Sequence, residues 1–136
     1  AGSGLAASDD PHGFVDVDPE TFQHVRHPQI WAVGDAATVA TRRSGGAIRQ
    51  QAKALVKNMK AAMAGRTPSA KYNGYSVVPF TVSRGTVVFA EFDRRGRLQP
   101  TVPFWRSLYR ERRLSWLADR RILPWVYWHL ILRGRA

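Results

Sequence analysis

The strongest constraint on the fold is a short apolar run that halts at a glycine–aspartate pair, followed by one long helix-periodic stretch. Ile30-Trp31-Ala32-Val33 stops abruptly at Gly34-Asp35, the pattern of a buried strand feeding a tight turn. From about Ser44 to Ala64, Ile48, Ala52, Leu55, Val56, Met59 and Met63 recur at helical spacing. That stripe predicts one inward helix face. Arg49, Lys53, Lys57 and Lys60 lie on the other face. Ser44 can cap the start, Gly65 can stop the end and Pro68 prevents continuation. The late lysines suit the negative end of the helix dipole.

The flanking segments read as short strands and turns. Phe14-Val15-Asp16-Val17-Asp18 alternates apolar and acidic residues and is expected to form a strand that Pro19 ends. Residues 65–74 are linker-like. Ser76–Ser83 and Thr86–Phe92 are β-rich runs joined by Arg84-Gly85, which predicts a hairpin. Pro79 puts the first run at an edge or a bulge. Asp93-Arg94-Arg95-Gly96 reads as a turn, Leu98–Val102 as a third strand, and the pattern from Phe104 onward as helical, broken near Pro124. The opening Gly2-Ser3-Gly4 lacks the third glycine of a dinucleotide fingerprint.

At 136 residues the chain allows one ordinary domain or two small pieces of a larger protein. It begins at Ala1 with no strand ahead of the glycines, which is what a fragment looks like. The absence of cysteine excludes a disulfide framework, thiolate metal sites and thiol redox chemistry carried by these residues. No apolar run approaches the roughly 20 residues of a spanning helix, and the start has no secretory pattern.

The net charge of +11 is unevenly spread. Residues 1–35 hold one arginine against six acids, −5; residues 36–93 hold nine basic residues against two acids, +7; residues 94–136 hold eleven arginines against two acids, +9. A tail this basic points to an anionic partner. Trp105, Tyr109 and Trp116 share one helical stripe beside Arg112, Arg113 and Arg120. Ile122–Leu132 is apolar except for Pro124 and His129, holds Trp125, Tyr127 and Trp128, and precedes Arg133 and Arg135. Tryptophan and tyrosine favour the headgroup boundary and arginine can snorkel to phosphates. Such a tail is expected to lie on an anionic lipid surface rather than cross it, as a peripheral or monotopic element. Two other readings stand beside it: tryptophans packed on the body of a domain, and single-stranded nucleic acid, which is not the expected partner.

Between strand and helix, Asp35 can accept hydroxyl hydrogens from a polyol, and Gly45 and Gly46 in the first helical turn permit close approach of a flat ring. The wider stretch Val15-Asp16-Val17-Asp18, Thr21-Phe22-Gln23-His24 and His27-Pro28-Gln29-Ile30-Trp31-Ala32-Val33-Gly34-Asp35 resembles the second flavin-binding motif of two-dinucleotide-fold flavoproteins. Lys71-Tyr72-Asn73-Gly74-Tyr75, Ala90-Glu91-Phe92-Asp93, Pro103-Phe104, Leu123-Pro124-Trp125-Val126-Tyr127-Trp128 and Leu132-Arg133-Gly134-Arg135 resemble the C-terminal region of sulfide:quinone oxidoreductases. The resemblance covers nearly the whole chain.

The resemblance implies an α/β fragment. It would hold the last strand and helix of an FAD-binding Rossmann-like domain (1–66), a β-hairpin region (67–103) and amphipathic membrane-surface helices (104–136). It implies a membrane-attached flavoenzyme passing electrons through FAD to quinone, with the rest of the cofactor site upstream. FAD would be held by Gly34, Asp35, Ala36, Arg43, Ser44, Gly45, Gly46 and Ala47. Val77, Val78 and Phe80 would line the region between flavin and quinone, and Trp105, Tyr109, Trp116, Trp125 and Trp128 would meet the membrane. The fragment alone would be inactive. Val78 stands where the family has a redox cysteine before the proline, and Arg43 stands at a lysine-like position. A valine cannot carry a persulfide, which keeps a type II NADH:quinone reductase-like parent and a non-catalytic membrane module open as alternatives.

Other chemistry reads weakly. His24 and His27 are three apart and are read as surface residues rather than metal ligands. Glu91 and Asp93 share a strand face and are read as partners of arginine, not as catalytic residues. His129 in the apolar tail can carry a proton near a quinone or sit as an interfacial histidine.

Overall fold

The computed structural model describes residues 4–39, 41–99 and 110–135. The chain forms two compact units, Ala1–Val77 with Phe92–Gln99, and Val78–Glu91 with Pro100–Ala136.

The first unit is built from short pairings around a small core. Val17, Phe22, Ala37, Val39, Ala54 and Tyr72 are buried together, with Val15, Ala32, Val33 and Leu55 packed against them. Val15 is paired on two sides, antiparallel to Ala6 and parallel to Ala37. Val17 pairs with His24, and Gln23 with Trp31. The expected strands at 14–18 and 30–33 are therefore single bridges, and Ile30 through Val33 is only half-buried. The reason is local. Asp18 Oδ1 accepts the N–H groups of Glu20 and Thr21 and the Thr21 hydroxyl, and Ile30 N–H closes a second turn onto His27. These turns leave only a few residues between them, too few for a ladder. Phe22, fully buried at φ 69°, sits in the left-handed region that side chains avoid. The Asp18 turn and the Tyr72 ring, 5.4 Å away, hold it there.

Helix α1 (Gly45–Met63) starts and stops as its sequence predicts. Ser44 Oγ accepts the Ala47 N–H at 3.2 Å. At the far end Gly65, φ +68°, donates to Ala62 and Arg66 donates to Ala61, the paired bonds of a Schellman stop. The buried face is not the expected one. Ala47, Gln51, Ala54 and Asn58 face inward, while Ile48, Val56, Met59 and Met63 are exposed. Two alanines let the helix approach the loops beneath it. Its two buried amides then satisfy loop backbone that an apolar side chain would strand. Asn58 donates to Thr21 and Ala70 carbonyls and accepts the Ala70 N–H.

Below the helix, Tyr72 N–H bonds Glu20 carbonyl, and Glu20 bridges to Lys71 at 3.0 Å and Arg94 at 3.7 Å. Gly74, φ +84°, lies against the Arg94 backbone where a Cβ has no room. The expected turn at Asp93 forms, its carboxylate accepting the Arg95 and Arg97 N–H groups. The expected third strand is reduced to one bridge, Leu98 to Phe92; residues 100–102 lie outside the described residues.

The second unit carries most of the hairpin. Strands β1 (Ser76–Ser83) and β2 (Thr86–Phe92) pair across the two-residue turn, as the sequence predicts. Val87 and Ala90 are buried, whereas β1 is exposed beyond Val78, consistent with a proline at an open edge. Val87 also bridges to Arg112, from which a helical run extends: α2 (Arg113–Leu117), a wide π-type turn (Ala118–Ile122), α3 (Leu123–Val126) and a second π-type turn (Tyr127–Ile131). The expected break at Pro124 is absent. Pro124 sits at the start of α3, directly after the first wide turn, and such widening accommodates a residue that lacks a donor. Gly134, φ +65°, ends the run.

Candidate functional site

The Gly34–Ala36 turn and the start of α1 form the walls of one small cleft. Gly34 adopts φ +65°, and a Cβ there would come within 2.7 Å of Ile48 Cδ1. Its N–H donates to Gln51 Oε1 at 2.8 Å, so a buried amide on the helix pins the turn to the helix face. Asp35 and Ala36 are exposed. Gly34, Asp35, Arg43, Ser44 and Ala47 line the cleft together, joined by Thr41, Ile48 and Gln51. Ile48 and Gln51 were not expected as site residues; a glutamine on the helix three residues beyond an isoleucine is the faint signal that was there. The cavity is about 10 Å³, room for roughly one water molecule.

The cleft has both signs of charge at its rim. Asp35 supplies a carboxylate. Arg43 supplies a guanidinium whose carbon lies 3.9 Å over the Phe14 ring, and Arg42 stacks likewise on Phe92 at 4.4 Å. The first-turn N–H groups of α1 add the positive end of a nineteen-residue helix. The arrangement can therefore accept hydroxyl hydrogens at Asp35 and favour negative charge at Ser44–Ala47.

The remaining expected residues separate. The space beside Gly46 is filled by the Val77 side chain, while the space beside Gly45 is open. Val78, half-buried, and Phe80, exposed, belong to β1 in the second unit. His24 is buried, with Nε2 donating to Leu5 carbonyl and Nδ1 accepting from the Arg26 and His27 N–H groups. Both ring nitrogens thus serve the backbone. Partial burial pushes the Asp18 carboxyl up, but the Thr21 and Glu20 hydrogen bonds and the Lys71 charge outweigh this and hold it below the usual range.

In the second unit, Trp125 and Trp128 are more than half exposed, at 54% and 62%, among Ile122, Leu123 and Leu132. Trp116 is half-buried under Arg120. His129 stacks on Trp125 at 5.0 Å and donates from Nδ1 to its carbonyl. Trp105 and Tyr109 lie outside the described residues. Among the described residues no helix is long and apolar enough to cross a membrane.

No protein-family model matches the chain. Curated relatives do. It is 34% identical over 125 residues to the mitochondrial sulfide:quinone oxidoreductase of Mus musculus, covering 92% of this chain and 27% of that protein. The protein of the same name from Dictyostelium discoideum is 32% identical over 128 residues, 94% of this chain and 28% of that one. That of Schizosaccharomyces pombe is 32% identical over 143 residues, 96% and 29%. A chain in the cryo-EM structure of the Tetrahymena thermophila mitochondrial ATP synthase F1Fo tetramer shares the fold, with a TM-score of 0.70, 24% identity, and 80% of this chain and 26% of that one covered.

The chain is similar to these three proteins over more than nine-tenths of its own length. It is a homologue of the sulfide:quinone oxidoreductases and corresponds to their C-terminal portion. The chain spans less than a third of the length of the relatives it matches.

Proposed function

We propose that the chain is the C-terminal part of an FAD-dependent, membrane-surface oxidoreductase that delivers electrons to a quinone. The exposed turn beside the helix start carries this reading; the cleft between them has room for about one water molecule, so the flavin would lie along its rim. An exposed aspartate follows a glycine held at φ +65° against Ile48, and both line the cleft beside the N-terminus of a long helix. Asp35 would take the ribityl hydroxyls. Gly34 and the first turn of α1 from Ser44 to Ala47, with Ala36 and Arg43, would hold the flavin end, the open side of Gly45 admitting a flat ring. The helix dipole and Arg43 favour negative charge there. Bound FAD would supply the hydride and electron chemistry. Residues 1–66 would complete an FAD-binding Rossmann-like domain, 67–103 the β-rich region with Val77, Val78 and Phe80 toward the quinone, and 104–136 the membrane surface.

The exposed tryptophans and the arginines around them support the last assignment. Arg112, Arg113, Arg120, Arg121, Arg133 and Arg135 are all exposed, and each basic residue near an anionic bilayer contributes about 1 kcal/mol. Quinone would then be drawn from lipid. One observation favours a second donor class: the chain has no cysteine, and Val78 occupies the position where the resemblance implies one. A type II NADH:quinone reductase-like parent, or a membrane module without catalysis, needs none.

Flavin stoichiometry tests the reading. In the longest natural polypeptide carrying these residues, Asp35→Ala should lower bound FAD severalfold while Asp35→Asn retains part of it. Unchanged flavin content in Asp35→Ala would refute the cleft assignment.

A further inference from the structure

Helix α1 bears an apolar face that its own unit does not use. On a helical wheel, at about 100° per residue, Ile48, Ala52, Val56, Met59 and Met63 form a continuous stripe roughly a third of a turn from the buried face of Ala47, Gln51, Ala54 and Asn58. Relative exposure is 42% at Ile48, 48% at Val56, 37% at Met59 and 85% at Met63. A stripe of this length on the outside of a helix whose inside holds two amides is an inversion of the usual order. The polar residues are already committed to loop backbone, so rotating the helix to bury the stripe would strand those groups.

We infer that the stripe is the seat of the preceding part of the same polypeptide, the portion that the curated relatives possess and these residues do not. Three observations choose this occupant. The relatives are more than three times as long, and this chain matches their C-terminal portion. The stripe is continuous with the cleft, because Ile48 both heads it and packs against Gly34 at the cleft wall. A segment laid along it would therefore complete the cleft as well. The third is charge. Lys53, Lys57 and Lys60 are exposed on the flank of the stripe, and a two-fold pair of such helices would bring like rows together. The preceding segment is under no such symmetry. The inference rests on reading the chain as one part of a longer flavoprotein.

The chain's two methionines, Met59 and Met63, are both on the stripe, so oxidation by dilute peroxide reports its exposure directly. The 136-residue chain and the longest natural polypeptide that carries it are treated side by side, and sulfoxide at each methionine is followed by peptide mass spectrometry. Ala70 amide protection serves as the check that α1 is seated in both. Oxidation should be fast in the short chain and about tenfold slower in the long one, where the thioethers leave solvent. Equal rates in the two, protection already present in the short chain, or a natural polypeptide no longer than these residues would each overturn the inference. Flavin absorbance, read on the same samples, separates the two claims. Protected methionines without flavin sink the cofactor reading alone, and flavin with unprotected methionines sinks the seat alone.

Discussion

Replacing Asn58 by alanine should be among the most damaging single changes in the first unit. The side chain is fully buried. It makes three bonds: Nδ2 to Thr21 carbonyl at 3.1 Å, Nδ2 to Ala70 carbonyl at 2.8 Å, and Oδ1 from Ala70 N–H at 2.8 Å. A hydrogen bond contributes about 1 kcal/mol net, and each buried backbone group left unpaired costs about 1–3 kcal/mol. Water entering the hole would recover part of this, so the loss should be about 3–5 kcal/mol. Asn58→Leu should be no better, since volume is not what the site requires. Asn58→Asp should be worse at neutral pH, because a buried carboxylate would face two carbonyl oxygens. Urea unfolding followed by circular dichroism gives the global figure, and hydrogen exchange at the Ala70 amide gives the local one. A loss under about 1 kcal/mol, with Ala70 still protected, would refute the claim that polar bonds rather than apolar contact seat α1.

Four further outcomes follow from particular contacts. Ser44→Ala removes the cap on the Ala47 N–H and should cost about 1 kcal/mol in chemical denaturation, with Ser44→Asp restoring most of it. Gly34→Ala forces a Cβ against Ile48 at a positive φ and should destabilise the unit and lower any flavin content of the longer polypeptide; an unchanged melting curve would contradict the packing described. The depressed Asp18 carboxyl contributes stability that is whole above the ordinary aspartate value of about 3.9 and is lost as pH falls through its lower folded value. Asp18→Asn should flatten stability against pH in that acid window, and an unaltered profile would show that the Thr21 bonds do not depend on charge. Trp125→Ala with Trp128→Ala should weaken sedimentation with anionic liposomes at least tenfold, and raised salt should weaken it further; equal binding would return the tail to ordinary packing.

Local rules carried the reading a long way. Ser44, Gly65 and Gly96 act on the few residues beside them, and the α1 ends and the Asp93 turn came out as expected for that reason. The hairpin did too, because strand runs joined by Arg84-Gly85 can close on each other without help. Strands are different. Phe14–Asp18 and Ile30–Val33 have strand-like patterns, but pairing needs a partner along the whole edge. The turns at Asp18 and His27 shorten what this chain can offer.

The helix faces mark the boundary most sharply. Periodicity determined that a helix runs here and that one side of it is apolar. Which side turns inward was decided by the loops beneath it, whose unpaired carbonyls and N–H groups reached Gln51 and Asn58. Burying unsatisfied backbone costs more than leaving a methionine in water. In the same way the sequence marked Gly34-Asp35 as a turn able to meet a ligand. Only the folded chain brought Thr41, Ile48 and Gln51 to its walls and Val77 onto Gly46, because contacts between residues far apart in sequence exist only once the intervening turns have closed.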